Sequence, residues 1–230
     1  PLRSKGMGLS QIVHRDNHVL AMGKPAGLPV VPDSSADESL LDQGKIWLKQ
    51  EFHKPGKVFL GVVHRLDRPV SGVVMFARTS KAAGRLSEAW RRNDVSKIYW
   101  AIGSGTVNED SGELEQWLLK DRARNIVHAV TPGVEGAKKA CTHWRVLGRS
   151  KGNVFLEMEA ITGRSHQLRV AAATLGVPLL GDLKYGACEP LSDRSVALHA
   201  RRLEVPHPTR DERVEVEAPL PEIFARLWKP

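Results

Sequence analysis

Ile98-Tyr99-Trp100-Ala101-Ile102, with the strand-like stretches that follow it at 114–120, 125–130, 140–147 and 154–161, decides the fold class. Each stretch is short, apolar or alternating, and divided from the next by turn residues, the pattern of consecutive β-strands. Working outward, His18-Val19-Leu20-Ala21-Met22 reads as a short strand running into the turn-rich Lys24-Pro25-Ala26-Gly27-Leu28-Pro29. Val73-Val74-Met75-Phe76-Ala77 reads as a buried strand, and two more strands are expected near 196–205 and 213–217. Helical spacing is confined to a few places. Leu40, Leu41, Ile46, Trp47 and Leu48 predict a helix through about residue 51. Ser80 is the expected N-cap of a second helix, with Ala82, Ala83, Leu86, Ala89 and Trp90 inward. Ser165 is the expected cap of a third, carrying Leu168, Ala171, Ala172 and Leu175 and stopped by Gly176 and Pro178, and a last helix spans about Pro221 to Trp228. Strands in runs with few helices between them predict an α+β fold, a mixed, mostly antiparallel central sheet with flanking helices. They argue against a doubly wound nucleotide fold, and neither a Walker A sequence nor a G-x-G-x-x-G fingerprint is present, so no cofactor is expected.

The 230 residues carry a formal net charge of +8, with a pI near 9.7, which points to a polyanionic partner. The positive charge is dispersed in pairs such as Arg91-Arg92, Lys138-Lys139 and Arg201-Arg202, with Arg122 near Arg124. That pattern suits a folded surface tracking phosphates better than a disordered basic tail. Cys141 and Cys188 form neither a metal-type spacing nor a disulfide framework, so a reduced, cytoplasmic setting and no metal are expected. No apolar run is long enough to span a membrane. The chain opens on Pro1 rather than Met, which leaves any preceding segment or targeting peptide unread. Residues 1–8 are expected to be an extension, and 9–230 a single domain, monomeric.

The segment His64-Arg65-Leu66-Asp67-Arg68-Pro69-Val70-Ser71-Gly72 sets one carboxylate among cations just before the buried strand. An acid so placed suits a positioned, ionised catalytic carboxylate, although Asp67 could simply pair with Arg65 or Arg68. The wording of the segment resembles the HRLD-x-x-[ST]-G signature of the RluA-like RNA pseudouridine synthases. Five further stretches resemble that family's motifs, in its order and over roughly residues 9 to 220. They are Lys24-Pro25-Ala26-Gly27-Leu28-Pro29-Val30, Lys97-Ile98-Tyr99-Trp100-Ala101, Gly163-Arg164-Ser165-His166-Gln167-Leu168-Arg169-Val170, Leu180-Gly181-Asp182-Leu183-Lys184-Tyr185-Gly186, and Leu198-His199-Ala200 followed by Pro206-His207-Pro208.

The resemblance implies isomerisation of specific uridines in structured RNA, rRNA or tRNA. The bond from ribose C1′ to uracil N1 breaks, the base turns, and C5 takes its place. It implies Asp67 as nucleophile, by attack at C1′ or by way of a glycal. It also implies Arg169 as the cation holding that carboxylate ionised, and Tyr99 as the ring stacked on the base, with a hand in removing the C5 proton. Leu198 would pack against base or tyrosine, while Arg65 would fill the space of a flipped base or hold a phosphate. Lys97 and Arg164 are candidates for phosphate contact. Two positions depart from the pattern: Val70 stands where threonine is common, and Ala171 where histidine often follows. They bear on loop support and substrate choice.

Each of these residues has a plainer reading: Tyr99 and Leu198 as core, Arg169 as a helix-surface cation, Arg164 and Lys97 as solvated charges. Three other functions compete. A catalytically silent RNA-binding module would keep the basic surface, but Asp67, Tyr99 and Arg169 are all present. A glycosidase needs a second carboxylate, for which Glu113 and Glu115 qualify by composition alone. His14 and His18 share the i, i+4 spacing of some zinc ligands, but without a clear helix or a third ligand.

Overall fold

A computed structural model describes residues 10–228. In chain order its elements are β1 (Gln11–Arg15), β2 (Val19–Lys24), α1 (Leu40–Glu51), β3 (Gly61–Val62), β4 (Ser71–Ala77), α2 (Ser80–Arg91), β5 (Ser96–Ser104), β6 (Ser111–Asp121), β7 (Ile126–Val130), β8 (Lys138–Ser150), β9 (Asn153–Ala160), α3 (Gln167–Thr174), β10 (Leu198–Pro206), β11 (Arg213–Glu217) and α4 (Glu222–Leu227). This is the α+β class expected, mostly antiparallel strands with few helices. Two compact units divide the chain: residues 10–95 with Ala200–Pro219, and Ser96–His199 with residues 220–228. The extension expected at 1–8 lies outside the described residues.

In the first unit β1, β2, β4 and the 200–206 part of β10 lie side by side, with β3 against β4 and β11 against β10. Every residue of β4 is buried, because both faces of the strand are covered. Val73, Met75 and Ala77 meet Ala82, Leu86 and Ala89 of α2, together with Val205, Val214 and Val216. On the opposite face Leu20 and Met22 of β2 approach α1 so closely at Gly44 that a Cβ there would crowd the Met22 sulfur and Leu60. The helix α1 begins with a capping box, in which Ser39 accepts from the Asp42 N–H and Asp42 returns a bond to the Ser39 backbone.

In the second unit the strands run β5-β9-β8-β6-β7, each pair antiparallel. Residues alternate between two faces. Gln116, Leu118, Thr142, Trp144, Leu156 and Met158 are buried. Against that face α3 packs, through Gln167 Nε2 donating to Thr142 Oγ1 at 3.0 Å and Gln116 Nε2 to Thr174 Oγ1 at 2.8 Å. Phe224 and Trp228, in and just after α4, join Ile102, Trp100 and Phe155 in a separate apolar cluster.

Two local expectations are corrected, and one strand is unanticipated. The cap of α2 is Thr79, extended at φ −138°, with its hydroxyl accepting from the Ala82 N–H; Ser80 is already helical. Ser165 does not cap α3. The helix starts after His166, a left-handed residue at φ 53° with no capping side chain. From inside the helix the Gln167 carboxamide ties down the preceding loop instead, its Oε1 accepting from the Arg164 N–H at 3.1 Å and from Thr162 Oγ1 at 2.7 Å. The unanticipated strand is β1, half-exposed and with a register shift between Ile12 and His14, so its alternation is weak in the sequence. Among the described residues no helix is long and apolar enough to cross a membrane.

Candidate active site

In the first unit, two loops are stitched together around Asp67. Lys24 closes β2 directly opposite Gly72 of β4. Gly72 has φ +128°, and a Cβ on it would overlap the backbone of Ala200, so the close approach of β4 to β10 requires glycine. Upstream, His64 Nε2 accepts from the Met75 N–H at 2.9 Å while its ring stacks on Trp90 at 4.7 Å. Between these anchors the Val70 N–H bonds to the Asp67 carbonyl at 3.0 Å, closing a turn. The next carbonyl, that of Arg68, accepts from the Gly27 N–H at 2.8 Å and from Lys24 Nζ at 3.0 Å.

Lys24 Nζ also donates to the Leu28 and Pro25 carbonyls at 2.8 and 3.1 Å. It is only 2 % exposed. Burial brings its pKa down to about 7, against the attraction of the Asp67 carboxylate, with Arg68 adding to the fall. Arg68 turns away to Asp33 and Asp37, and its Nε donates to the Gly27 carbonyl at 2.9 Å. Of the two neighbouring cations first considered for Asp67, Arg68 is therefore engaged elsewhere. Asp67 is half-buried and Arg65 exposed.

In the second unit lie Lys97, Tyr99, Arg164, Arg169 and Leu198. Tyr99 on β5 pairs across to Met158, which pairs in turn to Trp144, so it stands on the sheet face that carries α3. It is half-buried rather than a core tyrosine. Arg169 is no helix-surface cation. It is 4 % exposed and grips the equally buried Asp182 side-on, Nε to Oδ2 and Nη2 to Oδ1, both at 2.7 Å. Its guanidinium also lies 5.1 Å from the centre of the Tyr185 ring. That ring is fixed by its hydroxyl, which meets His166 Nδ1 at 2.6 Å and accepts from the Val127 N–H at 2.9 Å.

Just before Asp182, Gly181 takes φ +80°, where a Cβ would overlap the Ser195 carbonyl. The Leu180–Gly186 segment is thus a cradle for Arg169, a role its sequence alone did not assign. Leu198 is buried at the start of β10, beside Ala197, whose carbonyl accepts from the Ile102 N–H at 3.0 Å. Lys97 is buried too, not solvated. Burial lowers its pKa to about 8, opposed by Glu159 and aided by Arg164. Arg164 is exposed, with Nε donating to the Lys139 carbonyl at 2.9 Å.

The chain matches the RNA pseudouridylate synthase family over residues 18–174, a span that holds Lys24, Asp67, Tyr99 and Arg169 and ends before Asp182, Tyr185 and Leu198. It belongs to that family. The synthase is 37 % identical to an uncharacterized RNA pseudouridine synthase of Zymomonas mobilis, over 94 % of this chain and 96 % of the relative. It is 32 % identical to the ribosomal large subunit pseudouridine synthase D of Pseudomonas aeruginosa, over 95 % and 70 % of the respective chains. Among solved structures it is similar to human RNA pseudouridylate synthase domain containing 4, with a TM-score of 0.78 at 26 % identity, covering 93 % of this chain and 90 % of that one.

The synthase is accordingly an isomerase with an RNA substrate. The remaining candidates for other chemistry are placed elsewhere. Glu113 and Glu115 sit on the outer sheet face of the second unit, Glu115 paired with Lys139 at 2.5 Å. His14 lies 3.6 Å from Asp16, and His18 packs edge-on to His207.

Proposed function

We propose that the protein isomerises specific uridines in structured rRNA or tRNA, with Asp67 as the nucleophile. The observation that carries this reading is the anchoring of the Asp67 segment: the adjoining Arg68 carbonyl holds both Lys24 Nζ and the Gly27 N–H. A half-buried carboxylate on a doubly tied loop suits attack at a fixed position, because a nucleophile gains most when its approach is set in advance. The names of the Pseudomonas and Neisseria relatives make large-subunit rRNA the first substrate to try.

In this reaction the C1′–N1 bond breaks with Asp67 stabilising or capturing the anomeric carbon, the uracil turns, and C5 bonds to C1′ as the C5 proton leaves. Arg169 serves as the cation for the nucleophile and Tyr99 stacks on the turning base. An unperturbed tyrosine pKa near 10 makes proton removal the harder half of that second role. Leu198 packs against base or ring, Arg65 takes up the space of the flipped nucleotide or a phosphate, and Arg164 and Lys97 supply positive charge toward the RNA backbone. Every atom of the product comes from the substrate, so the RNA mass is unchanged.

The test is incubation with uridine-containing rRNA and tRNA fragments, mapping isomerised positions by carbodiimide modification and primer extension. Asp67→Asn should abolish the signal while RNA binding persists. Full activity in that variant removes Asp67 from the mechanism, and release of free uracil would identify a hydrolase instead.

A further inference from the structure

On the outer face of the second unit's sheet, three side chains of different chemistry converge. Glu113 on β6 stands directly opposite His143 on β8, and Cys141 is the next residue of β8 on the same face. Cys141 Sγ lies 3.2 Å from Glu113 Oε1, and His143 Nε2 lies 3.5 Å from Glu113 Oε2. One donor atom from each residue falls within 4.8 Å of the other two. With metal–ligand bonds of about 2.0–2.3 Å, the donors of a tetrahedral site stand about 3.3–3.8 Å apart, so the widest separation in this set has to close by about 1–1.5 Å at most on an ion.

A second observation concerns the other edge of the imidazole. His143 Nδ1 faces Glu159 Oε2 at 3.8 Å, from the neighbouring strand β9. A ligating histidine usually donates its far N–H to a carboxylate, which fixes the tautomer and leaves Nε2 free to bind metal. Glu159 is the carboxylate in reach for that once it closes by roughly 1 Å, and Glu115, the acid opposite Cys141, is held by Lys139.

We propose that Glu113, Cys141 and His143 form a binding site for one zinc-class divalent ion, with water at the fourth position. The mixed sulfur, nitrogen and oxygen donors favour zinc over magnesium or calcium, which take oxygen ligands. Binding exchanges the Cys141 thiol proton for the metal and releases it to solvent. The ion cross-links β6 to β8 and stabilises the folded chain by mass action. The three ligands are distinct from the residues assigned to catalysis, with Glu159 the one neighbour shared with Lys97, and the cobalt readout does not depend on that assignment.

The whole chain, reduced and stripped of metal, is titrated with Co(II). The expected result is one ion per chain, with a near-ultraviolet thiolate-to-cobalt absorption that Zn(II) displaces, and a thermal midpoint raised by Zn(II). Cys141→Ser should abolish the absorption, His143→Ala and Glu113→Gln should weaken binding at least as much, and Glu159→Gln should weaken it by roughly tenfold or more. Cys188→Ser should change nothing. Cobalt bound without a thiolate band, a band that follows Cys188, or no saturable binding at micromolar Co(II) would each overturn the site.

Discussion

Lys24 is the residue whose part was least visible in the sequence and is plainest in the structure. A buried ammonium with three carbonyl acceptors joins the Lys24–Val30 loop to the Asp67 turn. Lys24→Met should leave those acceptors short of donors, at about 1–3 kcal/mol for each buried group that goes unsatisfied. It should also lower turnover by loosening the Asp67 loop. The pH dependence has a definite sign. Below about 7 the lysine is protonated folded and unfolded alike, so it gives no slope. Between about 7 and 10.5 the unfolded chain holds a proton that the folded chain has released, and stability gained from this group rises with pH. Urea unfolding of both proteins from pH 7 to 9.5 should therefore show the wild type gaining on Lys24→Met as pH rises; parallel curves would remove Lys24 as the titrating group. A similar accounting holds for Asp182. Asp182→Ala removes both bonds that the buried Arg169 guanidinium makes to that carboxylate and should cost about 3–5 kcal/mol in urea unfolding. The motifs named Arg169 and Asp182 but could not say that they touch. Their contact is made by the fold, thirteen positions apart.

At the scale of elements, helix and strand identities were legible because apolar spacing decides which face is buried, and the expected spans for α1, β6, β8 and β9 lie close to the observed ones. Ends were less legible, because a cap depends on one hydrogen bond and neighbouring hydroxyls compete for it. Thr79-Ser80 is such a case: the side chain that accepts from the Ala82 N–H belongs to Thr79. Thr79→Ala should cost about 1 kcal/mol of stability and Ser80→Ala less than about half that, read as thermal midpoints. Equal losses would mean that the two hydroxyls share the cap. The α3 terminus was illegible for a different reason. Gln167, a residue inside the helix, accepts from the loop before it and donates to Cys141 and Thr142 on β8, so what orders the turn is a contact between elements rather than a cap from the next residue along the chain.

For the molecule as a whole, the dispersed basic pairs were expected to track phosphates, and the structure gives many of them acidic partners. Arg91 and Arg92 both meet Glu88, Lys139 meets Glu115, Arg201 meets Glu217, Arg202 meets Glu215 and Arg124 meets Asp121. Such exposed pairs add little stability, but each cancels charge that an RNA would otherwise feel. Affinity for a polyanion then depends on cations whose hydrogen bonds leave their charge intact. Arg164 is one, since its Nε bonds to the neutral carbonyl of Lys139. Replacing it with alanine should weaken binding of any RNA by a similar factor, and reduce the slope of log affinity against log salt by about 1. Turnover at saturating RNA should hold. Arg202→Ala, which removes a charge already balanced by Glu215, should leave that slope nearly unchanged. Filter binding across a salt series distinguishes the two, and equal slopes for both variants would mean that net charge, not the local partner, governs RNA binding.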